Sequence, residues 1–397
     1  MIAGIDRASS ARLVRPLLSI AVGTAVFQLL FGAVAPLIMP ALAVTIGLPW
    51  MLAAELLLAL LAFPVWIGAA RHRGGAPSVV AGGLLLALAL IGFVAVLRGP
   101  LLPGDDPLVP GAFWVIAVVA AAGLTLGGHL RLLSLTGPGA LAAVLATGAT
   151  LLVGPLLANL AFWLLWPAAA APAVPAGPVL AWAAIALLLS VAVLRQKPEE
   201  PQVPAQGRGD PSEIMLGALG LFLLMIPLTW LSAVRPPLML QTGAADGPAL
   251  LTQAILVGYL LIAGLLALAA WQRGPVTLVA ALLAGIIAAA VLYPLGAPAT
   301  PSLAWVVSID VATALATVAG FFVLLGTRAS PVRVAVAWTA IQAATTVGSR
   351  GGVLWWQVEG YVVTGPMRDV GTALALAGAL VLFGIVLFRR TRARRTA

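Results

Sequence analysis

The stretch from Trp50 to Ala89, WMLAAELLLALLAFPVWIGAARHRGGAPSVVAGGLLLALA, decides the fold. Two apolar runs of about 20 residues flank its centre, and each is long enough to cross ~30 Å of hydrocarbon as a helix. The turn between them, from Gly68 to Pro77, carries two arginines and one histidine, so it is predicted to face the cytoplasm. A related turn, AAWQRGP from Ala269 to Pro275, joins two further apolar runs in the second part of the chain. The repetition indicates two related halves.

The composition excludes a soluble protein. Hydrophobic residues make up 62% of the 397-residue chain, charged residues make up 8%, and the mean hydropathy is +1.13, which is more apolar surface than a soluble fold can bury. The formal net charge is +9, but the basic residues lie at the ends of apolar runs rather than along one amphipathic face. The sequence therefore predicts the lipid bilayer as a partner and predicts no nucleic-acid partner. With no cysteine and only two histidines, the sequence predicts no metal and no cofactor.

Apolar runs between glycine, proline and charged breakers predict twelve membrane spans. The polar segment 195–213, RQKPEEPQVPAQGRGDPSE, is rich in proline, glutamine and charge and is predicted to be a cytoplasmic linker. The predicted domains are an N-terminal six-helix bundle, 1–194, and a C-terminal six-helix bundle with a basic cytoplasmic tail, 214–397. The predicted spans are 17–39, 50–70, 78–97, 111–129, 139–161, 177–194, 214–234, 249–271, 276–293, 303–326, 332–349 and 370–388.

The charge distribution predicts the orientation. With a cytoplasmic N-terminus, seventeen of the 21 lysines and arginines lie on the cytoplasmic side, and four lie on the outer side: Arg98, Arg235, Arg350 and Arg368. The first apolar run is too long for a secretory signal and is expected to be retained as the first helix. We therefore expect a multi-pass protein of the cell's inner (cytoplasmic) membrane with both termini in the cytoplasm.

Strongly polar side chains inside the predicted spans are few. Each is costly in hydrocarbon unless it contacts another helix or a wet cavity. None lies in the third, sixth, ninth or twelfth span. The six are Gln28, Glu55, Asn159, Gln253, Asp310 and Gln342.

This distribution resembles the major facilitator superfamily, in which the third, sixth, ninth and twelfth helices support eight helices around a central cavity. The loop after the second span is similar to that family's signature at Gly68, Arg73 and Gly75, with His72 where the family has an acid. Alanine and proline replace the basic pair that follows, and the fourth span lacks the arginine of many proton-coupled exporters. The resemblance implies an all-α polytopic fold of twelve helices in two pseudo-symmetric six-helix bundles. It also assigns Gly68, Arg73 and Gly75 to a gate-forming loop.

A narrower likeness concerns the segment from Pro331 to Gly352. It is similar to the eleventh-helix region of the light-harvesting assembly, or bacteriochlorophyll-delivery, branch of that superfamily. The matching residues are Arg333, Gln342, Gly348, Gly351 and Gly352. This likeness implies close approach of a flat pigment and membrane pigment-protein partners, whereas ordinary helix packing also uses such glycines.

Glu55 and Asp310 are the two acids well inside the predicted spans, one in each half. A carboxyl group in a cavity that opens to either side can bind a proton and exchange it, so both are candidates for proton coupling. Two alternatives stay open. Glu55, about one turn from Trp50, could reach the outer headgroups, and Asp310 could bond to a neighbouring hydroxyl.

The amides of Gln28, Gln253 and Gln342 donate and accept hydrogen bonds without a buried charge. Together with Asp310 they are the predicted substrate-binding residues, and the alternative is that they join helices. Hydroxyl groups also lie in the predicted lining helices, at Thr24, Thr125, Thr147, Thr150, Thr229, Ser232, Thr313, Thr317, Thr345 and Thr346.

Two further sequence features have simple interpretations. His129 and Arg131, at the end of the fourth span, are expected to be solvated end residues. The aromatic segment from Val353 to Tyr361 is expected to lie on the outer interface.

Two functions from different classes fit these features. The leading prediction is a secondary active transporter that moves a small organic molecule across the inner membrane by alternating access, with protons as the candidate coupling ion. The alternative is a non-transporting assembly or delivery factor for bacteriochlorophyll pigment or lipid. A metal-dependent enzyme built on Asp105 and Asp106 is not predicted, because their glycine- and proline-rich loop is too short for a donor site.

Overall fold

The computed structural model describes residues 7–70, 75–98, 107–136, 140–165, 176–195, 211–241, 275–292, 303–325, 330–360 and 363–396. Within these ranges the chain is helical and contains no strand. The α-helices are α1 (Arg7–Gln28), α2 (Ala35–Ile46), α3 (Leu48–Ala70), α4 (Gly75–Arg98), α5 (Leu108–Thr136), α6 (Ala140–Gly148), α7 (Gly154–Leu165), α8 (Ala176–Leu194), α9 (Pro211–Gln241), α10 (Pro275–Leu292), α11 (Leu303–Leu325), α12 (Pro331–Thr345), α13 (Gly352–Val358) and α14 (Gly365–Thr396).

Three π-helical segments join α-helices into longer spans. They are Leu29–Val34 in the first span, Ala149–Val153 in the fifth and Thr346–Gly351 in the eleventh. Eight stretches of the described helices are long and apolar enough to cross a membrane, and Val307–Phe321 is a shorter apolar stretch. The predicted eighth span, 249–271, lies outside the described residues. The helices are those of a multi-pass membrane protein.

A single residue separates the first two spans. Gly47 has a φ of 84°, in the left-handed region that glycine adopts without a side-chain clash. Its backbone N–H donates to the carbonyl of Ala43 at 3.0 Å and satisfies a carbonyl at the end of α2. This glycine allows α3 to begin at Leu48, directly after the turn.

The chain forms two compact units. The first consists of Met1–Gly137, Gly148–Gln206 and Ser330–Ala335, and the second of Pro138–Thr147, Gly207–Ala329 and Val336–Ala397. The bundle boundaries and the linker drawn from the sequence stay predictions.

Helix α5 is the centre of the first unit, because glycines let two neighbouring backbones approach it. A Cβ atom added to Gly82 of α4 would lie 2.8 Å from the Leu124 nitrogen of α5. A Cβ added to Gly128 of α5 would lie 2.8 Å from the Pro16 oxygen of α1. Hydrocarbon provides no hydrophobic force between helices, so this close packing supplies much of their attraction.

Side chains from two other spans bond directly to α5 carbonyls. Ser19 Oγ of α1 donates to the Leu124 oxygen at 2.8 Å. Trp66 Nε1 of α3 donates to the Val119 oxygen at 2.6 Å. These bonds satisfy buried polar groups that lipid could not satisfy, and they fix α1 and α3 in register on α5.

The second unit repeats this principle at α14. A Cβ added to Gly378 would lie 2.5 Å from the Leu224 nitrogen of α9. A Cβ added to Gly285 of α10 would lie 2.5 Å from the Ala379 Cβ of α14. Glycine and alanine therefore bring α9 and α10 close to the backbone of α14 on two of its faces.

An ion pair and a hydrogen bond connect the ends of three helices in the second unit. Arg389, near the end of α14, forms an ion pair with Glu213 in the first turn of α9. Its guanidinium also donates to the Val323 oxygen of α11 at 2.6 Å. The Arg389 and Glu213 side chains are 21% and 27% exposed, so water screens the pair only in part.

We expect Glu213→Gln to destabilise the second unit by about 1–3 kcal/mol, because it removes the charge from a partly buried hydrogen-bonded pair. The control is Asp369→Asn, which removes the partner of Arg368 in a pair at 3.5 Å whose carboxylate is 74% exposed. Thermal unfolding in detergent should show a lower midpoint for Glu213→Gln and little change for the control. Equal midpoints for the two variants would contradict a stabilising role of the Arg389–Glu213 ion pair.

Candidate functional site

The predicted polar site residues divide between the two units. Gln28, the last residue of α1, is exposed, whereas Glu55 of α3 is 4% exposed and buried within the first unit. Asp310 of α11 and Gln342 of α12 are half-buried in the second unit. Gln253 lies outside the described residues. Gln28, Asp310 and Gln342 therefore keep accessible side-chain surface on membrane helices, while Glu55 is enclosed instead of extending to a headgroup.

Most of the predicted hydroxyls bond to their own helix. The bonds are Thr24 to Ile20, Thr125 to Ala121, Thr313 to Ile309, Thr317 to Thr313, Thr345 to Ile341 and Thr346 to Gln342, at 2.8–3.2 Å between Oγ1 and the carbonyl oxygen. A hydroxyl that donates to the preceding turn tends to bend its helix, and its proton is not available to a ligand. The amides and Asp310 are therefore better donors or acceptors for a substrate than these threonines.

The π-helical segments follow from the local sequence. Pro36 comes two residues after Leu29–Val34, and Pro155 comes two residues after Ala149–Val153. Proline has no N–H and clashes with the carbonyl four residues earlier, so the preceding turn widens. Thr346–Gly351 has no proline nearby but contains two glycines and is followed by Gly352. Such segments often mark functional sites in helices.

Two of the predicted site amides lie beside π-helical segments. Gln28 directly precedes Leu29–Val34. Gln342 lies one turn before Thr346–Gly351, and its carbonyl oxygen accepts a bond from Thr346 Oγ1 at 3.2 Å. A widened turn redirects nearby side chains and loosens the helix, so each amide is placed where its span deforms most easily.

The fifth and eleventh spans meet the first helix of their own unit in the same way. In the first unit, a Cβ on Gly154 would lie 3.0 Å from Thr24 Cβ and 3.1 Å from the Ala21 oxygen. In the second unit, a Cβ on Gly348 would collide with Thr229 Oγ1 and the Ile226 oxygen. In both cases a glycine in or next to a π-helical segment packs on a threonine and on the residue three positions before it. This internal repeat supports the two related halves that the sequence predicts.

The two described glycines of the predicted loop motif differ in their surroundings: Gly75 is in close contact with another helix, and Gly68 is not. Gly75 begins α4, and a Cβ there would collide with the Gly127 oxygen and lie 2.8 Å from Arg131 Cγ, both on α5. Gly68 of α3 has open space around its Cα. Arg73 and His72 lie outside the described residues. Gly75 is thus a packing glycine between the third and fourth spans.

The interpretation of His129 and Arg131 as solvated end residues was wrong. Helix α5 continues to Thr136, so both residues are inside it, and they are 1% and 8% exposed. His129 Nδ1 donates to the Thr125 oxygen at 2.7 Å. The sequence-based span ended at residue 129 because polar residues follow, whereas Gly75 of α4 packs on Gly127 and Arg131 and so continues to cover α5 beyond that point.

The aromatic segment after Gly352 continues the eleventh span as α13. Its position at the outer interface stays a prediction. Trp356 is 2% exposed and packs in a cluster with Trp230, Ile309 and Met367. Its side chain contributes to the core of the second unit because three helices supply apolar partners.

A cavity of about 240 Å³ lies within the second unit, between α9, the eleventh span and α14. Its walls are almost entirely apolar. Four glycines and two tryptophans contribute to them. The lining residues are Ile226, Pro227, Trp230, Val347, Gly348, Gly351, Gly352, Trp355, Met367, Val370, Gly371 and Leu374.

Comparison with known proteins decides the fold. No protein-family model and no curated protein matches the sequence. A proton:xylose symporter of the major facilitator superfamily, bound to 6-bromo-6-deoxy-D-glucose, matches with a TM-score of 0.70 at 14% identity over 95% of this chain and 96% of that one. The chain has the major facilitator superfamily fold. The predicted all-α architecture is confirmed, and the resemblance to this superfamily is confirmed at the level of the fold.

Two other solved structures agree. A bacterial homologue of the iron transporter ferroportin matches with a TM-score of 0.64 at 14% identity, over 96% of this chain and 99% of that chain. The E. coli fucose:proton symporter matches with a TM-score of 0.58 at 15% identity, over 96% and 98%. Their descriptions name these proteins as transporters. Among the described residues, no group of three or more histidines or acids could hold a metal ion.

We expect Gly75→Ala to lower the thermal stability of the protein, because its methyl group must push α4 away from the Gly127 carbonyl at a cost of about 1–3 kcal/mol. Gly68→Ala is the matched control, since its methyl group enters open space and alanine favours the helix. Melting curves in detergent should separate the two variants. A larger loss for Gly68→Ala would contradict the assignment of Gly75 as the packing glycine.

Proposed function

We propose that this chain is a secondary active transporter that moves a small, uncharged polar organic molecule across the membrane by alternating access. Protons are the proposed coupling ion. The observation that carries the proposal is the position of Gln28 and Gln342 beside π-helical segments in a fold whose solved relatives are transporters. Binding groups at deformable turns are what a protein needs if binding is to change its conformation.

The distribution of π-helical segments supports this proposal. They occur in the first, fifth and eleventh spans, which the resemblance assigns to the cavity lining. In the described residues of the third, sixth, ninth and twelfth spans, α4, α8, α10 and α14 are uninterrupted α-helices. The second, fourth, seventh and tenth spans are also uninterrupted where they are described, so the deformable turns are confined to three of the lining spans, which is where alternating access can use them.

The chemistry of the accessible groups suggests the substrate class. Amides at Gln28, Gln253 and Gln342 can donate to and accept from hydroxyl groups, and the proposed site brings only one accessible acid, Asp310. A highly charged solute would need several basic partners. A neutral solute of monosaccharide size fits best, and xylose and fucose, the solutes named for two of the similar structures, are the first to test.

Asp310 is the proposed proton carrier and Glu55 is the second candidate. Asp310 is half-buried, whereas Glu55 is 4% exposed. A carrier has to release its proton to each side in turn, so the accessible acid is the better candidate.

We also propose that Gly68, Arg73 and Gly75 belong to a loop that takes part in gating. Gly75 holds the third span against the fourth, and Arg73 would lie in the turn just before it. An arginine there can bond to carbonyls at a helix end and stiffen the turn.

A second candidate function, delivery of pigment or lipid to membrane partners, is favoured by one observation. Gly348, Gly351 and Gly352, on which the pigment-delivery resemblance depends, line the apolar cavity of the second unit. A tetrapyrrole that copurifies with the protein would show an absorbance band. A colourless protein that moves solute would exclude this candidate in favour of transport.

We expect Asp310→Asn to abolish proton-driven accumulation and to keep solute exchange. In proteoliposomes, a gradient of one pH unit is worth ~1.4 kcal/mol and supports about tenfold accumulation at one proton per molecule. Labelled xylose and fucose should approach that ratio with the unmodified protein and a ratio of about one with Asp310→Asn. Counterflow should continue in both.

The control for this experiment is Asp369→Asn, an exposed acid on α14. It should accumulate solute like the unmodified protein. Undiminished accumulation by Asp310→Asn would contradict its role as carrier. The absence of counterflow for every neutral solute in a wider monosaccharide and polyol panel would contradict transport of this class.

A further inference from the structure

We propose that the cavity between α9, the eleventh span and α14 binds one acyl chain of a glycerophospholipid from the predicted outer leaflet, with the lipid phosphate held by Arg350 and Arg368. The site goes beyond the proposed transport function, because it lies within the second unit and needs neither a solute nor a coupling ion. Its evidence is the depth of the cavity, its chemistry, its opening and the positions of the two arginines.

The depth of the cavity matches one leaflet. Helix α14 begins at Gly365 on the predicted outer side, and the deepest lining residue on it, Leu374, lies nine positions further, about 13 Å along the axis. On α9, the lining residues Ile226 and Trp230 lie about 22 Å and 28 Å from Pro211 at the opposite end. Since the hydrocarbon core is ~30 Å thick, the cavity occupies the outer half of the bilayer.

The opening of the cavity is apolar and exposed. Val347 and Val370, on opposite walls, are 36% and 46% exposed, and Gly351 is also exposed. A surface of this kind at the level of membrane hydrocarbon is covered by acyl chains. The volume, about 240 Å³, exceeds the ~150 Å³ of a cavity lined by apolar residues that binds benzene in a soluble protein.

The cavity is built by features that a simple bundle would not keep. The π-helical segment Thr346–Gly351 widens one wall, and Gly351 and Gly371 leave room where side chains would fill it. Trp230 forms part of the wall, and its Nε1 is buried with no hydrogen-bond acceptor in the described part of the chain. An ester carbonyl of the lipid glycerol region is an acceptor of the kind such a group requires.

Two arginines occur in the segments that line the opening. Arg350 precedes the lining residue Gly351, and Arg368 follows the lining residue Met367. Both side chains are half-buried. Arg350 and Arg368 are two of the four basic residues that the orientation predicted from charge places on the outer side. Long arginine side chains reach the interface from positions inside the span, where a phosphate accepts two parallel hydrogen bonds from one guanidinium.

Arg368 also has an acidic neighbour. Its Nε donates to Asp369 Oδ1 at 3.5 Å, and that carboxylate is 74% exposed. Such an exposed pair is weak, and a phosphate, which can accept two hydrogen bonds from one guanidinium, is a stronger partner for Arg368 than this carboxylate. Phosphate next to the guanidinium is therefore favoured over a headgroup without an anionic oxygen.

The test uses the full chain in detergent, stripped of endogenous lipid, with dioleoylphosphatidylglycerol as the probe. The decisive variant is Gly351→Leu. A Cβ on Gly351 would meet no atom within 4 Å, so the leucine fills the opening without straining the fold. Gly384→Leu is the matched control, because Gly384 on α14 also has open space around its Cα and does not line the cavity.

We expect the phospholipid to raise the melting temperature of the unmodified protein and of Gly384→Leu, and to leave that of Gly351→Leu unchanged. Native mass spectrometry should detect one fewer tightly bound phospholipid on Gly351→Leu. Arg350→Gln and Arg368→Gln should each weaken binding about tenfold, the loss expected for a charge-assisted hydrogen bond. Dioleoylglycerol, which has the chains without the phosphate, loses both arginine contacts and should bind more weakly than the phospholipid binds to either variant.

Four results would overturn the proposal. They are a full phospholipid response in Gly351→Leu, equal binding of dioleoylglycerol and the phospholipid, unchanged binding in both arginine variants, and a tetrapyrrole in the cavity in place of a lipid. If Gly351→Leu melts below the control without lipid, Val370→Phe narrows the cavity from α14 and takes its place. Transport activity does not enter the readout, so failure here leaves the transport proposal standing.

Discussion

Close approach of helix backbones at glycine is the constraint on which the structure depends. In lipid, two apolar helices gain little by burying side chains from hydrocarbon, so attraction has to come from backbone proximity and from hydrogen bonds. Gly82 and Gly128 bring α4 and α1 onto α5, and Gly378 brings α9 onto α14. In each unit, therefore, the neighbours of one helix, α5 or α14, are positioned by the absence of side chains.

The same residues explain where the units resist bending and where they yield. The supporting helices α4, α8, α10 and α14 are regular where they are described, and close contacts at glycine hold each of them against a neighbour. The first, fifth and eleventh spans contain π-helical segments, placed by Pro36, by Pro155 and by the glycines from Gly348 onward. The π-helical segments and the regular supporting helices thus lie in different spans, an arrangement that suits the proposed alternating access.

The sequence predicts the fold better than it predicts the environment of single residues. Apolar run length, basic turns and the polar residues absent from four spans lead to the superfamily fold, because the bilayer imposes these patterns on every span. The burial of His129 and Arg131 is not predictable in this way. It depends in part on Gly75 of α4, far away in sequence, whose lack of a side chain lets α4 pack on α5 next to Arg131. The burial of Trp356 was missed for a similar reason, since it has partners on three helices.

The candidate site shows the same limit. Gln28, Glu55, Asp310 and Gln342 were found because polar groups in apolar spans are conspicuous. The π-helical turns beside Gln28 and Gln342 were not predicted, although Pro36 and the glycines from Gly348 onward were signals in the sequence. The cavity of the second unit could not be predicted from the sequence, because its walls come from three separate segments and consist of ordinary apolar residues.

The most direct test of the account measures distances between the two units in one experiment. The chain has no cysteine, so spin labels can be placed at exposed positions without background: Leu108 with Val358 on the predicted outer side, and Leu135 with Met215 on the cytoplasmic side. Pulsed electron paramagnetic resonance in lipid nanodiscs at two pH values should give distances that shift in opposite directions for the two pairs. Distances that stay single and unchanged for both pairs, under conditions where solute binds, would contradict alternating access.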